Sequence, residues 1–108
     1  MNKKLIIFLI LLGLLAIFLF VNSNQENLLI GKWKSLDDSN YSIEITKDKI
    51  IDYYSGEIVS EDYYTINKNI IRVAFNEEFL EYEILELSKE KLSLIYLLTG
   101  KTLNYTKN

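Results

Sequence analysis

The sequence predicts an all-β domain, an antiparallel meander of eight short strands closed into a barrel, behind one apolar N-terminal helix. Three observations carry this expectation. Apolar and polar residues alternate with period two through most of the chain after Leu29. Short turn signals separate the alternating stretches, so only strands adjacent in sequence can pair. An uncharged apolar run stands at the N-terminus, preceded by Lys3 and Lys4.

That run, Leu5 to Val21, would form a helix about 26 Å long at about 1.5 Å per residue. A hydrocarbon core is roughly 30 Å thick, so the helix spans with help from its flanks or a thinned bilayer. The two lysines before it predict that the basic end stays in the cytoplasm and that the C-terminal domain is extracytoplasmic, single-pass at the cell membrane. Val21-Asn22-Ser23 is a tolerable signal-peptidase site, so the alternative is a secreted domain cleaved after Ser23. The expected organisation is an anchor or signal peptide over 1–23, a short linker over 24–28 and the barrel over 29–108.

The strands follow in order. Ile30–Ser35 opens on Gly31-Lys32-Trp33, and Tyr41–Thr46 sets Tyr41, Ile43 and Ile45 on one face. Lys49–Ser55 carries the Tyr53-Tyr54 pair and ends at a Ser55-Gly56 turn. Ile58–Ile66 carries the Tyr63-Tyr64 pair. Asn69–Phe75 turns Ile71, Val73 and Phe75 inward and Arg72 outward. Phe79–Leu87 alternates Leu80, Tyr82 and Ile84 with Glu81 and Glu83, and a bulge would move Glu86 to another face. Lys91–Leu98 and Lys101–Thr106 complete the series. Eight twisted strands in a meander either close or leave two exposed edges, and closure removes the edges.

An eight-stranded barrel is just wide enough to be filled by side chains or to hold one small ligand. The inward candidates are large, among them Trp33, Tyr41, Tyr53, Tyr64, Tyr82, Tyr96 and Tyr105, and the domain's only alanine is Ala74. The expectation is a packed core or at most a shallow mouth.

The Gly31-Lys32-Trp33 opening, the Tyr63-Tyr64-Thr65-Ile66 strand and the closing Leu103-Asn104-Tyr105-Thr106 resemble the small lipocalin-like (calycin-type) domains of exported bacterial proteins. The resemblance implies a tryptophan that closes one end of the barrel, often against an arginine near the last strand. Arg72, the only arginine, lies mid-chain, so Lys107 would have to take that part. It also implies an interior that takes a small apolar ligand, for which Trp33, Tyr53, Tyr64 and Tyr82 are the contacts to test.

Composition narrows the chemistry. The chain has no histidine and no cysteine, which removes the commonest general base, the thiol nucleophile and nearly all transition-metal ligation. No catalytic residue, cofactor or metal site is therefore expected. Glu81 and Glu83 share a strand face at a spacing glycosidases use, but alternating glutamates on an outer face are ordinarily solvated. Asp37-Asp38 and Glu77-Glu78 lack the ligand spacing of a calcium loop. Setting aside Lys3 and Lys4 with the apolar run takes the net charge from −3 to −5, which disfavours nucleic acid and favours a basic partner. The function expected is a non-catalytic envelope module that binds a protein or peptide through its outer face, with Tyr54, Tyr63, Glu81 and Glu83 as contacts. The alternative is a lipocalin-like binder of a small apolar ligand.

Overall fold

The computed structural model describes residue 25 and residues 27–108. The Leu5 to Val21 run and the cleavage site at Ser23 lie outside the described residues. Among the described residues no helix is long and apolar enough to cross a membrane.

The chain forms eight strands: β1 (Gly31–Ser35), β2 (Tyr41–Ile45), β3 (Lys49–Tyr54), β4 (Glu57–Asn67), β5 (Ile70–Phe75), β6 (Glu78–Leu87), β7 (Lys91–Tyr96) and β8 (Lys101–Lys107). Each pairs antiparallel with its neighbour in sequence, and β8 returns to β1, closing the barrel. The closing seam pairs Trp33 with Lys107, Lys34 with Thr106 and Ser35 with Tyr105. Every strand lies where the alternation predicts it. The ends differ for local reasons. Strand β7 stops at Tyr96 rather than Leu98, because 97–100 form the hairpin in which the Gly100 N–H donates to the Tyr96 carbonyl at 2.8 Å. Strand β8 extends to Lys107 through its pairing with Trp33.

The hairpins alternate between the two ends of the barrel, and the ends differ. One end is closed. A helical turn over 27–29 sets Leu29 across it, fully buried with Trp33 and Leu92. The Trp33 indole donates to the Leu29 carbonyl at 2.9 Å, which fixes the ring and satisfies its only polar atom. Lys107 reaches back from β8, with its Nζ 4.4 Å from the centre of the Trp33 ring, and donates to the Ile30 carbonyl at 2.9 Å. Gly31 makes room for this. Its φ is 141°, and a Cβ there would run into Nζ of Lys107 and lie 2.8 Å from Cε.

Two bulges set the phase of the side chains. The β3–β4 register shifts at Asp52/Tyr53, which leaves Val59 without an opposite residue. The β6–β7 register shifts between Ile84 and Glu86, which leaves Leu85 exposed on the outside. The Ser55-Gly56 turn has positive φ at both residues, 51° and 84°, the conformation whose twist matches a two-residue hairpin.

One inward assignment is corrected. Tyr53 lies on the outer face, where its hydroxyl donates to Glu44 Oε1 at 3.1 Å. Alternation along β3 sends Ile50 and Asp52 into the lumen instead, and both line its cavity.

Candidate functional site

The interior is filled around Trp33, Ile45, Ile71 and Leu92, but the opposite half of the barrel holds a cavity of about 120 Å³. Its wall is mostly apolar, from Ile43, Ile71, Val73, Leu80, Leu94 and Leu103. Three tyrosines (Tyr41, Tyr82, Tyr105) and three polar side chains (Asp52, Ser60, Asp62) also line it.

The two aspartates reach the cavity from paired strands. Asp52 is opposite Ser60, and Ile50 is opposite Asp62. The Ser60 hydroxyl donates to Asp52 Oδ2 at 2.7 Å. Asp62 is pushed above the usual carboxylate range, first by desolvation and then by the Asp52 charge, with Ser60 acting against both. The lining contains no lysine or arginine, and both ion pairs among the described residues, Lys49–Glu61 and Lys91–Glu86, lie outside it.

The phenols respond to the same field. Tyr41 is held well above the ordinary tyrosine value by burial, by the Asp52 charge and by a hydrogen bond to Asp52. Tyr105 is raised by burial, then by Asp52 and Tyr82. Tyr82 is raised by burial and by Tyr96, whose ring lies 5.1 Å from its own. All three are thus neutral donors around a negative centre. Tyr105 is only 3% exposed, and among the described residues no buried side-chain oxygen or nitrogen lacks a hydrogen-bond partner.

The rim around this open end is apolar. Leu36, Tyr54, Ile58, Val59, Phe75, Phe79, Leu97 and Leu98 are all exposed, Leu98 to 82%. They come from every connection at that end: the loop after β1 and the β3–β4, β5–β6 and β7–β8 hairpins. The turns at the closed end carry no large apolar side chain. Asp37, Asp38, Glu57, Glu77 and Glu78 are exposed at the open end together with Lys101, while the three turns of the closed end expose Lys47, Lys68 and Lys89 beside Asp48 and Glu90.

The residues singled out from sequence distribute as follows. Of the four expected ligand contacts, Tyr82 lines the cavity. Trp33 is the plug of the closed end. Tyr64 is buried on the closed side of the lumen, its hydroxyl donating to the Thr46 carbonyl at 2.7 Å. Tyr53 is outside. Tyr54 belongs to the apolar rim, whereas Tyr63 is exposed on the outer wall beneath Lys49, whose Nζ is 5.0 Å from the ring centre. Glu81 stands opposite Arg72 on β5, and Glu83 opposite Ile70. Arg72 in turn lies over the Phe79 ring at 3.9 Å. The outer glutamate row is therefore partly compensated, as is Glu86 by Lys91 at 3.3 Å.

Asp52, Ser60, Asp62 and the rim were not singled out as a site. A signal for two of them was available, since counting back by twos from the inward Tyr64 brings Asp62 and Ser60 inside. Among the described residues no group of three or more metal-ligating side chains converges. No family model, curated protein or solved structure matches this chain.

Proposed function

We propose that this protein is a non-catalytic, membrane-anchored envelope module that binds a protein or peptide partner at the open end of its barrel. The observation that carries the reading is the concentration of eight exposed large apolar side chains around one end. Apolar side chains scattered singly over a surface need no explanation, but a contiguous patch with a charged margin is the mark of an interaction site. The acidic residues of that margin select a basic partner and steer its approach. The outer wall around Glu81 and Glu83 is the lesser candidate, because Arg72 and Lys91 offset its charge.

The Gly31-Lys32-Trp33 opening, with Lys107 laid over the tryptophan, supports a lipocalin-like assignment for the exported domain. The alternative of a small-ligand binder draws its support from the cavity, although about 120 Å³ is well below the roughly 300–1,000 Å³ of ordinary ligand clefts. That size also supports the non-catalytic reading, since two carboxylates acting on a sugar need room for the ring and a water. The chain enters the barrel at its closed end through residues 27–30, opposite the apolar rim.

The test compares two double variants of the full chain in its native cell, with partners recovered by cross-linking and quantitative mass spectrometry. Leu98→Asp with Phe79→Asp should abolish recovery of the partner, and Glu81→Lys with Glu83→Lys should leave it largely intact. The opposite pattern would move the binding surface to the outer wall and overturn the open-end reading.

A further inference from the structure

We infer that β4 offers its free edge at the open end to an extended, basic segment of the partner, which adds to the barrel as one more strand. The inference rests on the open-end reading above and specifies how the partner is held there.

The edge follows from the register. Strand β4 has 11 residues and β5 has 6. Residues 57–63, all but the bulged Val59, are paired with β3 on one side. On the other side the β5 ladder takes in only residues 64–67, opposite residues 70–73. Ala74 and Phe75 have register partners on β6 alone. Continued past Tyr64, the β4–β5 register sets the Asn76-Glu77 turn against Ser60 and Glu61, so β5 ends before β4 does.

The direction of the peptide groups follows as well. The Tyr64 N–H donates to the Asp48 carbonyl at 3.0 Å, on the β3 side. Peptide groups alternate along a strand, so Asp62 also faces β3 and Glu61 faces the gap. Tyr54 and Glu57 face each other across the two-residue turn, which directs the peptide groups of Ile58 to the gap. Among the described residues no turn or loop bond reaches the backbone of residues 57–62. The β1–β8 seam, with only three register pairs, is covered instead. There the Leu36 N–H donates to the Asn104 carbonyl at 2.8 Å, and the Asn104 N–H donates to Asp37 Oδ2 at 2.8 Å. A row of uncovered peptide groups is a template for another chain, and β4 keeps one.

The chemistry of the edge selects what joins it. A second copy would set β4 against β4 and bring Glu57 and Glu61 of each beside like charges, and the bulge at Val59 spoils a flat self-pairing. A basic segment meets the opposite situation. Glu57 and Glu61 are exposed on the edge, and Glu77 and Glu78 are exposed across the gap. Of these four only Glu61 has an ion-pair partner among the described residues, Lys49 at 3.4 Å. Ile58 and Val59, 59% and 61% exposed, give apolar contacts to the remaining side chains of the segment. In strand addition the main-chain bonds supply affinity and the alternate side chains supply specificity.

The test is an amide NMR titration of the full chain in a non-ionic detergent, with a capped seven-residue peptide of alternating lysine and valine as probe. The peptide should shift the Ile58 and Glu61 amides and protect them from hydrogen exchange. Two N-methylated forms, one methylated at every lysine and one at every valine, test the mode of binding. Only alternate peptide groups of an added strand face the edge, so one form should bind at least tenfold more weakly and the other should be retained. A glutamate–valine peptide should bind at least tenfold more weakly. Glu57→Lys with Glu61→Lys should have the same effect, with Trp33 fluorescence showing that the barrel remains folded. Equal binding of both methylated forms, equal binding of the glutamate peptide, or shifts confined to the Glu81–Glu83 wall would each overturn the inference. Ile58 and Glu61 signals that change with protein concentration and no peptide would place a second copy on the edge and overturn it too. No peptide response at β4, with partner recovery still dependent on Leu98 and Phe79, would refute this inference alone and leave the docking surface standing.

Discussion

Replacing Lys107 with methionine removes the ammonium from the closed end while keeping most of the side-chain stem. The structure assigns that ammonium two tasks. It stands 4.4 Å from the centre of the Trp33 ring, and it donates to the Ile30 carbonyl at 2.9 Å. A cation–π contact is worth about 0.5–2 kcal/mol, and a charge-assisted hydrogen bond about 1.5–3 kcal/mol at most when shielded from water. Lys107 is only half-buried, so the lower parts of both ranges apply, and the expected loss is about 2 kcal/mol. For a domain of this size each kcal/mol moves Tm by about 4–8 °C, which gives a fall of roughly 8–16 °C. The assay is thermal unfolding of the full chain in non-ionic detergent, followed by the fluorescence of Trp33, the only tryptophan. Lys107→Ala should cost more and shift the emission to the red, because the stem no longer covers the ring. Lys107→Arg should restore most of the stability. A Lys107→Met variant melting within about 1 °C of the parent would refute the argument that this lysine clamps the plug.

Three further predictions follow from the same geometry. Gly31→Ala should destabilise by about 1–3 kcal/mol, since φ of 141° strains an L-residue and the new Cβ displaces Lys107; chemical denaturation measures it. Asp62→Asn should raise stability near neutral pH. The folded carboxyl has a value raised above its ordinary 3.8, so the wild type keeps its full stability below that pH and loses some as pH rises through the raised value. The melting difference between variant and parent should therefore vanish in strong acid and grow towards neutrality. Alkaline titration followed by ultraviolet absorbance should show Tyr41, Tyr82 and Tyr105 ionising after the exposed tyrosines, with stability falling as pH rises beyond the ordinary tyrosine value of 10.0.

The strands were legible because their signals were local. Alternation in Tyr41–Ile45 and in Leu80–Ile84 leaves one choice of buried face, and a one-residue slip would expose Ile43 and Ile84. The closed end was legible through the resemblance carried by Gly31-Lys32-Trp33, which implies a tryptophan across one end of the barrel with Lys107 in place of the arginine. The cavity was harder to read. In β3 the adjacent Ile50 and Ile51 fit either phase, and the Tyr53-Tyr54 pair invites the wrong one. The bulge at Val59 then resets the alternation of β4, so Ile58 faces out with Tyr53 while Ser60 and Asp62 face in. Polar residues inside a barrel contradict the rule that makes strands readable, and such contradictions concentrate at functional sites. The rim was hidden for another reason. Leu97 and Leu98 extend the pattern of β7, yet the chain turns before them and leaves both in solvent.

The central claim is that the open end of the barrel is the working surface. The most direct measurement is site-specific photocross-linking of the full chain in its native cell, with a photoreactive phenylalanine analogue placed at one position at a time. Probes at Leu98, Val59 and Phe79 should trap one discrete partner, and probes at Lys47, Lys68 and Lys89 in the closed-end turns should not. A partner trapped from the closed end or from the Glu81–Glu83 wall, with none from the rim, would contradict the account.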